Sequence, residues 1–341
     1  MKTKKLLRAA TAAAALLGVA ACADMQKAQD QAPSLLPSPM RYSMIADLTH
    51  PIPMFHALGK DVTKADTSKP FKDSRPVAGF GFQPTRIPKP DFKTKVGNFQ
   101  WAWFYMDEHY GTHIDSTDHY QYLPGAKTDM KPDNRSMEQY GVKDITGPIV
   151  FIDISARVDA ELAKNKGVPS PDAKITNFND DGPATVTAAD IEKVRGQIVD
   201  GAWIVVRTGW DKFFVGASKD PFAHPYINGF NFPGMNAASV AKLIEIETAK
   251  KVRINGIIMD QLSIDSGHSG RGPTNNPFGE GWAAHNKGLQ RGWKFVENAA
   301  NLGQLNNAQP GTCIVVIGAL KLVSASGSPA RVLAMCQAKT R

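Results

Sequence analysis

The sequence predicts an α/β fold. Three apolar runs rich in valine and isoleucine, at residues 149–154, 202–207 and 252–259, have the length and composition of buried strands. Segments with helix signals lie between them, at residues 187–195 and 237–250. Strands that alternate with helices in this way indicate an α/β body. The chain has 341 residues, 42% hydrophobic and 21% charged, which is enough for one large globular domain.

The N-terminus has the pattern of a bacterial export signal. Residues 1–22 begin with basic side chains and continue as an apolar run too short to span a membrane. The run ends Val-Ala-Ala-Cys, which resembles a lipobox and predicts lipid attachment at Cys22. The alternative is an ordinary signal peptide that has a cysteine at its cleavage site. Either interpretation places the protein on the periplasmic side, with membrane contact only through a lipid anchor.

The net charge does not indicate nucleic-acid binding. Four of the formal +8 charges lie in the signal, and the rest of the chain keeps +4 without a basic stripe. After the signal, residues 23–41 are rich in proline, glutamine and alanine and predict a flexible tether. We therefore expect one folded domain over residues 42–341.

That domain is expected to open with a strand at residues 44–52, stopped by Pro51. Residues 56–98 are rich in lysine, proline and glycine, so we expect a long loop region. Residues 99–106 are aromatic and predict a buried strand that runs into a tight turn at Gly111.

The segment that follows concentrates metal-ligand side chains. Residues 109–119 contain three histidines and two aspartates. If the chain is extended again after Gly111, His113 and Asp115 point to one face, and a bend at the glycine lets His109 join them. Imidazole and carboxylate groups suit zinc or manganese, and three protein ligands leave a position for water, whose pKa the metal lowers. His119 remains as a proton-transfer group. The alternative is a turn with ordinary surface or core histidines.

The later elements complete the α/β pattern. Thr187 and Asp190 form a capping box that predicts a helix to about Arg195. Asp260 and Asp265 end a strand and are expected to cap turns. A helix at residues 283–290, a stop at Gly292 and a strand through residue 297 follow.

Two cysteines lie on the last apolar segments of the chain. Cys313 and Cys336 flank a turn-like stretch at residues 324–329, which predicts a hairpin that places them opposite each other. They either form a disulfide, as export would permit, or pack as two small buried side chains.

The ligand-rich segment resembles the H-x-G-T-H-x-D-x-P-x-H signature of the metal-dependent cyclase-like hydrolases, the superfamily of bacterial kynurenine formamidase and isatin hydrolase. Thr117 stands at the signature's proline. Stretches that begin at Asp47, Arg207, Phe232 and Met259 also resemble the family. The resemblance implies a swivelling β/β/α fold with a central barrel-like sheet flanked by helices, and a homo-oligomer, either dimer or tetramer.

The resemblance also implies a second metal. His285 and Glu297 match the family's spacing and would bind it together with a bridging Asp115. Twelve residues of separation alone would not suggest this, because such pairs are usually unrelated. The expected cofactor is thus a divalent metal, zinc or manganese, with one or two ions per subunit.

The expected activity is hydrolysis of a small molecule. By the resemblance, the substrate is an aryl formamide, a cyclic amide, or a lactone or ester, cleaved by metal-activated water. Two alternatives are a non-catalytic binding lipoprotein stabilised by metal and a cyclase that acts in the ring-closing direction.

Overall fold

The computed structural model describes residues 42–51, 55–56, 85–88, 102–120, 133–178, 182–214, 224–267, 269 and 281–339. Contacts divide the chain after Tyr42. The predicted signal, the tether, Cys22 and most of the predicted 56–98 loop lie outside the described residues. Within the described part of the chain, no helix is long and apolar enough to cross a membrane.

Eleven strands and three α-helices are described, together with several short 3₁₀ segments and one π-helical turn at Ala284–Gly288. The helices are α1 (Ser155–Ala163), α2 (Ala188–Lys193) and α3 (Ala237–Lys250). The strands are β1 (Met44–Asp47), β2 (Phe55–His56), β3 (Thr85–Pro88), β4 (Ala102–Tyr105), β5 (His113–Asp115), β6 (Thr146–Asp153), β7 (Ala202–Arg207), β8 (Ile254–Met259), β9 (Lys294–Glu297), β10 (Ile314–Ala319) and β11 (Gly327–Cys336).

Seven of these strands close into a mixed barrel. Their hydrogen-bonded order is β11, β10, β6, β7, β8, β9, β5, and β5 pairs with β11 to complete the ring. β6, β7, β8 and β9 are parallel neighbours, as expected for strands joined by crossover connections. The predicted α/β class, with a barrel-like central sheet and flanking helices, is confirmed. A separate three-stranded sheet contains β2, β3 and β4.

The alternation of side chains along the strands separates two cores. In β7, Ile204 and Val206 belong to a cluster that includes Val240, Leu243 and Ile246 of α3. The residues that alternate with them, Trp203 and Val205, belong to a second cluster shared with β9, β10 and β11. Successive strand residues point to opposite faces, so the first cluster packs the helices onto the barrel and the second fills its interior.

Several elements were predicted at close to their observed positions. The capping box of Thr187 and Asp190 opens α2, and α3 and β7 have the predicted bounds. The predicted 283–290 helix is instead a π-helical turn followed by a 3₁₀ turn, which ends at Gly292 with φ +88°.

Three parts of the prediction were wrong or incomplete. Helix α1 was not predicted, because its N-cap is Ile154, a residue type that rarely caps helices. Residues 85–88 were predicted as loop but form β3, which pairs with β4. The turn predicted at 324–329 already contains the start of β11, since residues 327–329 pair with β5. Pairing between segments distant in the sequence decides both strand errors.

The hairpin of β10 and β11 joins the two cysteines. Ile314 lies opposite Met335, so the neighbouring Cys313 and Cys336 face each other, with Cα atoms 4.1 Å apart. They form a disulfide, which resolves the two alternatives left by the sequence.

Candidate metal centre

Strand β5 carries the centre of the site and lies between β9 and β11. Gly111 turns the chain into this strand with a φ of +69°, a conformation that costs glycine little. His113 lies directly opposite Glu297 of β9. Directly opposed strand residues share a face, so the sheet itself brings these two side chains together.

Two histidines meet one oxygen of Asp115. His109 Nδ1 is 2.8 Å from Asp115 Oδ1, and His113 Nε2 is 3.1 Å from the same atom. Asp115 and His113 are buried, whereas His109 is partly exposed. Ligand atoms that share one zinc ion at about 2.0–2.2 Å lie roughly 3 Å apart, so these separations suit a common cation.

The other nitrogen of each histidine has a fixed partner. His113 Nδ1 lies 2.9 Å from the carbonyl of Gly111, which only a protonated nitrogen can donate to. Ser326 Oγ donates to Glu108 and accepts from His109 Nε2 at 2.9 Å. These partners assign the protons to His113 Nδ1 and His109 Nε2. The other ring nitrogens, His109 Nδ1 and His113 Nε2, both face Asp115 Oδ1 and can bind a cation once they carry no proton.

The second side of Asp115 faces another pair of groups. Its Oδ2 atom is buried without a hydrogen-bond partner. His285 Nε2 lies 3.9 Å from this oxygen and 3.6 Å from Glu297 Oε1. Glu297 Oε2 in turn lies 3.7 Å from His113 Nε2. An unpartnered buried carboxylate oxygen is costly, so a cation between these groups would stabilise the arrangement.

Asp265 orients His285. Its carboxylate accepts from the His285 ring at 2.7 Å and from the backbone N–H groups of Ala284 and His285. His285 Nδ1 is thereby committed to Asp265, which leaves Nε2 to face the site. A carboxylate that holds the far nitrogen of a metal-binding histidine is a recurrent arrangement. Asp265 was predicted to cap a turn at the end of its own strand; its carboxylate instead binds Ala284 and His285, which the sequence did not reveal.

The electrostatics favour positive charge in the site. Burial alone would lower the pKa of His113, but the charge and hydrogen bond of Asp115 outweigh it and raise the pKa to about 9. Burial also opposes the shift at His285, where Asp265, Glu297 and Asp115 raise the pKa to about 9. Burial and the charge of Asp115 raise the pKa of Glu297. The carboxylates hold protons on their neighbours, and a divalent cation would supply that charge instead.

His119 lies beside both halves of the site. Its ring centroid is 4.0 Å from that of His109 and 5.7 Å from that of His285, and the side chain is exposed. One of its nitrogens also lies within 4.8 Å of ligand atoms of Asp115 and His285. The geometry thus permits two roles for His119, as a group that faces substrate or as a further ligand.

Several supporting residues were not found from the sequence. Asn298 donates to the Gly111 carbonyl and lies 3.4 Å from His113 Nδ1, while Tyr226 donates to Asn298. The position of Asn298 directly after Glu297 was the only feature of the sequence that could have indicated its role. The aromatic rings of Tyr120, Trp282 and Phe295 lie near His285, with centroids 5.1–6.4 Å away.

Comparison with known proteins shows the family to which the chain belongs. The model of the Cyclase family matches residues 46–266, well over half of the chain. The chain belongs to the Cyclase family. The match includes the segment with His109, His113, Asp115 and His119, and it ends before His285 and Glu297.

Individual known proteins are also similar to this chain. Isatin hydrolase from Roseibium aggregatum is 27% identical over 241 residues, which cover 70% of this chain and 75% of that protein. Two solved structures share the fold. Isatin hydrolase A from Labrenzia aggregata, bound to benzyl benzoate, has a TM-score of 0.55 at 23% identity. The match covers 86% of this chain and 94% of that one. Isatin hydrolase A from Ralstonia solanacearum has a TM-score of 0.57 at 20% identity. The match covers 90% of this chain and 100% of that one.

Family membership and site geometry together identify the chain as a hydrolytic enzyme of the Cyclase family. The cluster of His109, His113 and Asp115 supports a divalent metal as its cofactor.

Proposed function

We propose that this protein is a metal-dependent hydrolase that cleaves a compact amide, cyclic amide or lactone outside the cytoplasm. One observation carries the proposal. His109 Nδ1 and His113 Nε2 converge on Asp115 Oδ1 at 2.8 and 3.1 Å. Three acceptors at such distances repel one another unless a cation or protons lie between them.

The chain offers two groups of ligands around Asp115. His109, His113 and Asp115 would hold a first ion, and His285 and Glu297 with Asp115 would hold a second. Asp115 Oδ2, which has no hydrogen-bond partner, lies on the side of His285. Nitrogen and carboxylate donors suit zinc or manganese. When bound, a divalent ion of this type lowers the pKa of water and polarises a substrate carbonyl.

His119 is assigned the proton transfer. Its ring borders both halves of the site, and the side chain is exposed. A histidine so placed can accept a proton from the attacking water and deliver it to the leaving nitrogen or oxygen.

The aromatic residues near His285 favour a planar substrate. Tyr120 and Trp282 are half-buried, and their ring centroids lie 6.4 and 6.0 Å from that of His285. Flat rings of this kind stack on or edge against a planar aromatic or cyclic amide. The relative named isatin hydrolase is consistent with such a substrate class.

The compartment is assigned from the two ends of the chain. The Val-Ala-Ala-Cys run predicts a lipid anchor at Cys22, and the disulfide of Cys313 and Cys336 suits an oxidising compartment. We therefore place the enzyme on the periplasmic side as a membrane-anchored lipoprotein. The homo-oligomer is proposed from the family resemblance alone.

Metal content and hydrolysis measured on the same purified protein test the proposal. We expect one or two equivalents of zinc or manganese and turnover of at least one member of a panel of aryl formamides, cyclic amides and lactones. Asp115→Ala should lose most of the metal and all activity. Asp190→Asn alters a buried carboxylate that binds Arg157 outside the site, and it should retain the metal.

The outcome also separates the competing functions. Metal without turnover of any substrate in either direction would favour a binding lipoprotein. Ring closure of an open-chain product without hydrolysis would favour a cyclase. Full metal content in Asp115→Ala would contradict the ligand assignment.

A further inference from the structure

A tight turn connects Asp115 to His119. The N–H of His119 donates to the carbonyl of Ser116 at 3.1 Å, which closes a four-residue turn over residues 116–119. Thr117 is the second residue of this turn, a position at which proline is favoured because its ring fixes φ. Threonine does not restrict φ in this way, so another contact has to hold the turn.

That contact comes from Tyr140. The Thr117 N–H donates to the Tyr140 hydroxyl at 2.8 Å, and the Thr117 hydroxyl lies 2.9 Å from the same oxygen. The N–H of Arg135 also donates to Thr117 Oγ1 at 3.0 Å. Thr117 is only 1% exposed, so these bonds form away from water.

The tyrosine is itself held in place. Tyr140 is 4% exposed, and the guanidinium of Arg135 lies 4.6 Å above its ring centroid. Arg135 in turn forms ion pairs with Asp133 and Asp144 at 2.8 and 3.3 Å. The Tyr140 hydroxyl therefore occupies a defined position from which it can restrain a loop.

We propose that Tyr140 is a positioning residue, whose hydroxyl holds the 116–119 turn through Thr117 and thereby keeps the His119 ring beside His109 and His285. The inference rests on the proposed function insofar as His119 transfers protons. The bond from the Thr117 N–H is one that a proline at this position could not make. A hydrogen bond to the Tyr140 hydroxyl and the fixed φ of a proline at position 117 are thus alternative ways to rigidify the same turn.

The test begins with Tyr140→Phe, which removes the hydroxyl and keeps the ring. We expect kcat to fall roughly tenfold, because displacements of about 1 Å in a catalytic group can cost a hundredfold. KM and metal content should stay close to wild type, since the variant removes no atom of the proposed metal ligands. Amide hydrogen exchange in a peptide that spans residues 112–120 should become faster.

Rescue distinguishes positioning from general stability. Adding Thr117→Pro to Tyr140→Phe should restore kcat to within about threefold of wild type and return the slow amide exchange, because proline restrains φ without the hydroxyl. Thr185→Val is the matched control, since it removes one buried threonine hydroxyl bond, to Gly234, outside the 116–119 turn. It should lower the melting temperature and leave kcat unchanged.

Two results would overturn the inference: an unchanged kcat in Tyr140→Phe, or a loss that Thr117→Pro does not reverse. His119→Ala in the same assay separates this from failure of the proposed function. If His119→Ala retains full activity, the proton-transfer assignment fails, and hydrogen exchange then decides the role of Tyr140. Faster exchange in Tyr140→Phe that Thr117→Pro reverses would still support it, and unchanged exchange would overturn it.

Discussion

The chemistry of the site depends on which nitrogen each histidine leaves free. One ring nitrogen of each histidine already has a partner: the Gly111 carbonyl for His113, Ser326 for His109 and Asp265 for His285. The remaining nitrogens face Asp115 or Glu297. Each histidine is therefore oriented for ligation before any ion binds, which reduces the entropy lost on binding.

His119 is the residue whose role is most open to experiment. We expect His119→Ala to keep metal content near normal and to lower the rate by roughly two to four orders of magnitude, the range for a positioned acid–base group. Burial lowers the pKa of His119 to about 4, so the pH–rate profile should lose its acid limb. Since a His119 nitrogen lies within 4.8 Å of ligand atoms of Asp115 and His285, metal analysis is the necessary control. A lost metal ion would make His119 a ligand, and unchanged turnover would remove it from the mechanism.

At the scale of elements, three adjacent strands assemble the site. β5 supplies His113 and Asp115, β9 supplies Glu297, and the turn before β11 supplies Ser326, which contacts His109. The close approach of β11 to His109 requires a glycine, because a Cβ atom on Gly327 would lie 2.4 Å from His109 Cε1.

Gly327→Ala should therefore displace His109 and weaken metal binding. We expect metal affinity to fall roughly 10–100-fold, the usual cost of disturbing the shell around metal ligands. Gly318→Ala is the matched control on the same hairpin, because its Cβ would lie 3.4 Å from its nearest neighbour, the Arg331 carbonyl. Titration of the metal-free protein with zinc or manganese measures both. Equal affinities in the two variants would contradict the close-packing argument.

Strand β9 carries a second unusual side chain. Lys294 is completely buried, and its ammonium group lies 5.6 Å from the ring centroid of Tyr140 and 5.8 Å from that of Trp203. Burial lowers its pKa to about 7 from 10.5; the charges of Arg135 and Arg253 act in the same direction, and those of Asp144 and Asp133 oppose it. The charged form is therefore disfavoured in the folded protein.

This burial predicts a pH-dependent stability. Between pH 7 and pH 10.5 the unfolded chain binds a proton at Lys294 that the folded chain lacks, so the free energy of unfolding should rise with pH across that window. Lys294→Met should raise the melting temperature at pH 7 and flatten the rise. Lys174→Met, at an exposed lysine, should leave the rise unchanged. Thermal unfolding between pH 6 and 9.5 checks this, and an unaltered slope in Lys294→Met would contradict it.

At the scale of the whole molecule, the barrel is closed by a strand that also carries the disulfide. β11 pairs with β10 on one side and with both β5 and β1 on the other, and it ends at Cys336. Cross-links of this kind stabilise chiefly by restricting the unfolded chain, and they persist in oxidising compartments.

The lipid anchor is tested at Cys22. Cys22→Ser should abolish lipid attachment and leave the protein soluble or unprocessed, as membrane fractionation and mass analysis of the N-terminus would show. The double variant Cys313→Ser with Cys336→Ser is the control, because it removes the other two of the three cysteines and should keep the lipid. A wild-type mature N-terminus at any residue other than 22 would exclude a lipoprotein and leave a cleaved periplasmic form.

Local pattern predicted much of the fold because its signals are contained in short segments. The capping box at Thr187, the apolar run of β7 and the positive φ at Gly111 follow from side chains within a few residues of one another. The density of ligand side chains at residues 109–119 likewise pointed to a metal site, since the chemistry of imidazole and carboxylate does not depend on the fold.

Only the tertiary structure decided which distant residues complete that site. Ser326 and Asp265 orient histidines that lie 217 and 20 residues from them in the sequence, and Tyr140 contacts the turn of Thr117 across 23 residues. Strands β3 and the start of β11 also exist only because partner strands supply their hydrogen bonds. Backbone pairing and side-chain orientation are set by whichever segments the closed barrel brings together, and a sequence pattern of short range contains no record of those contacts.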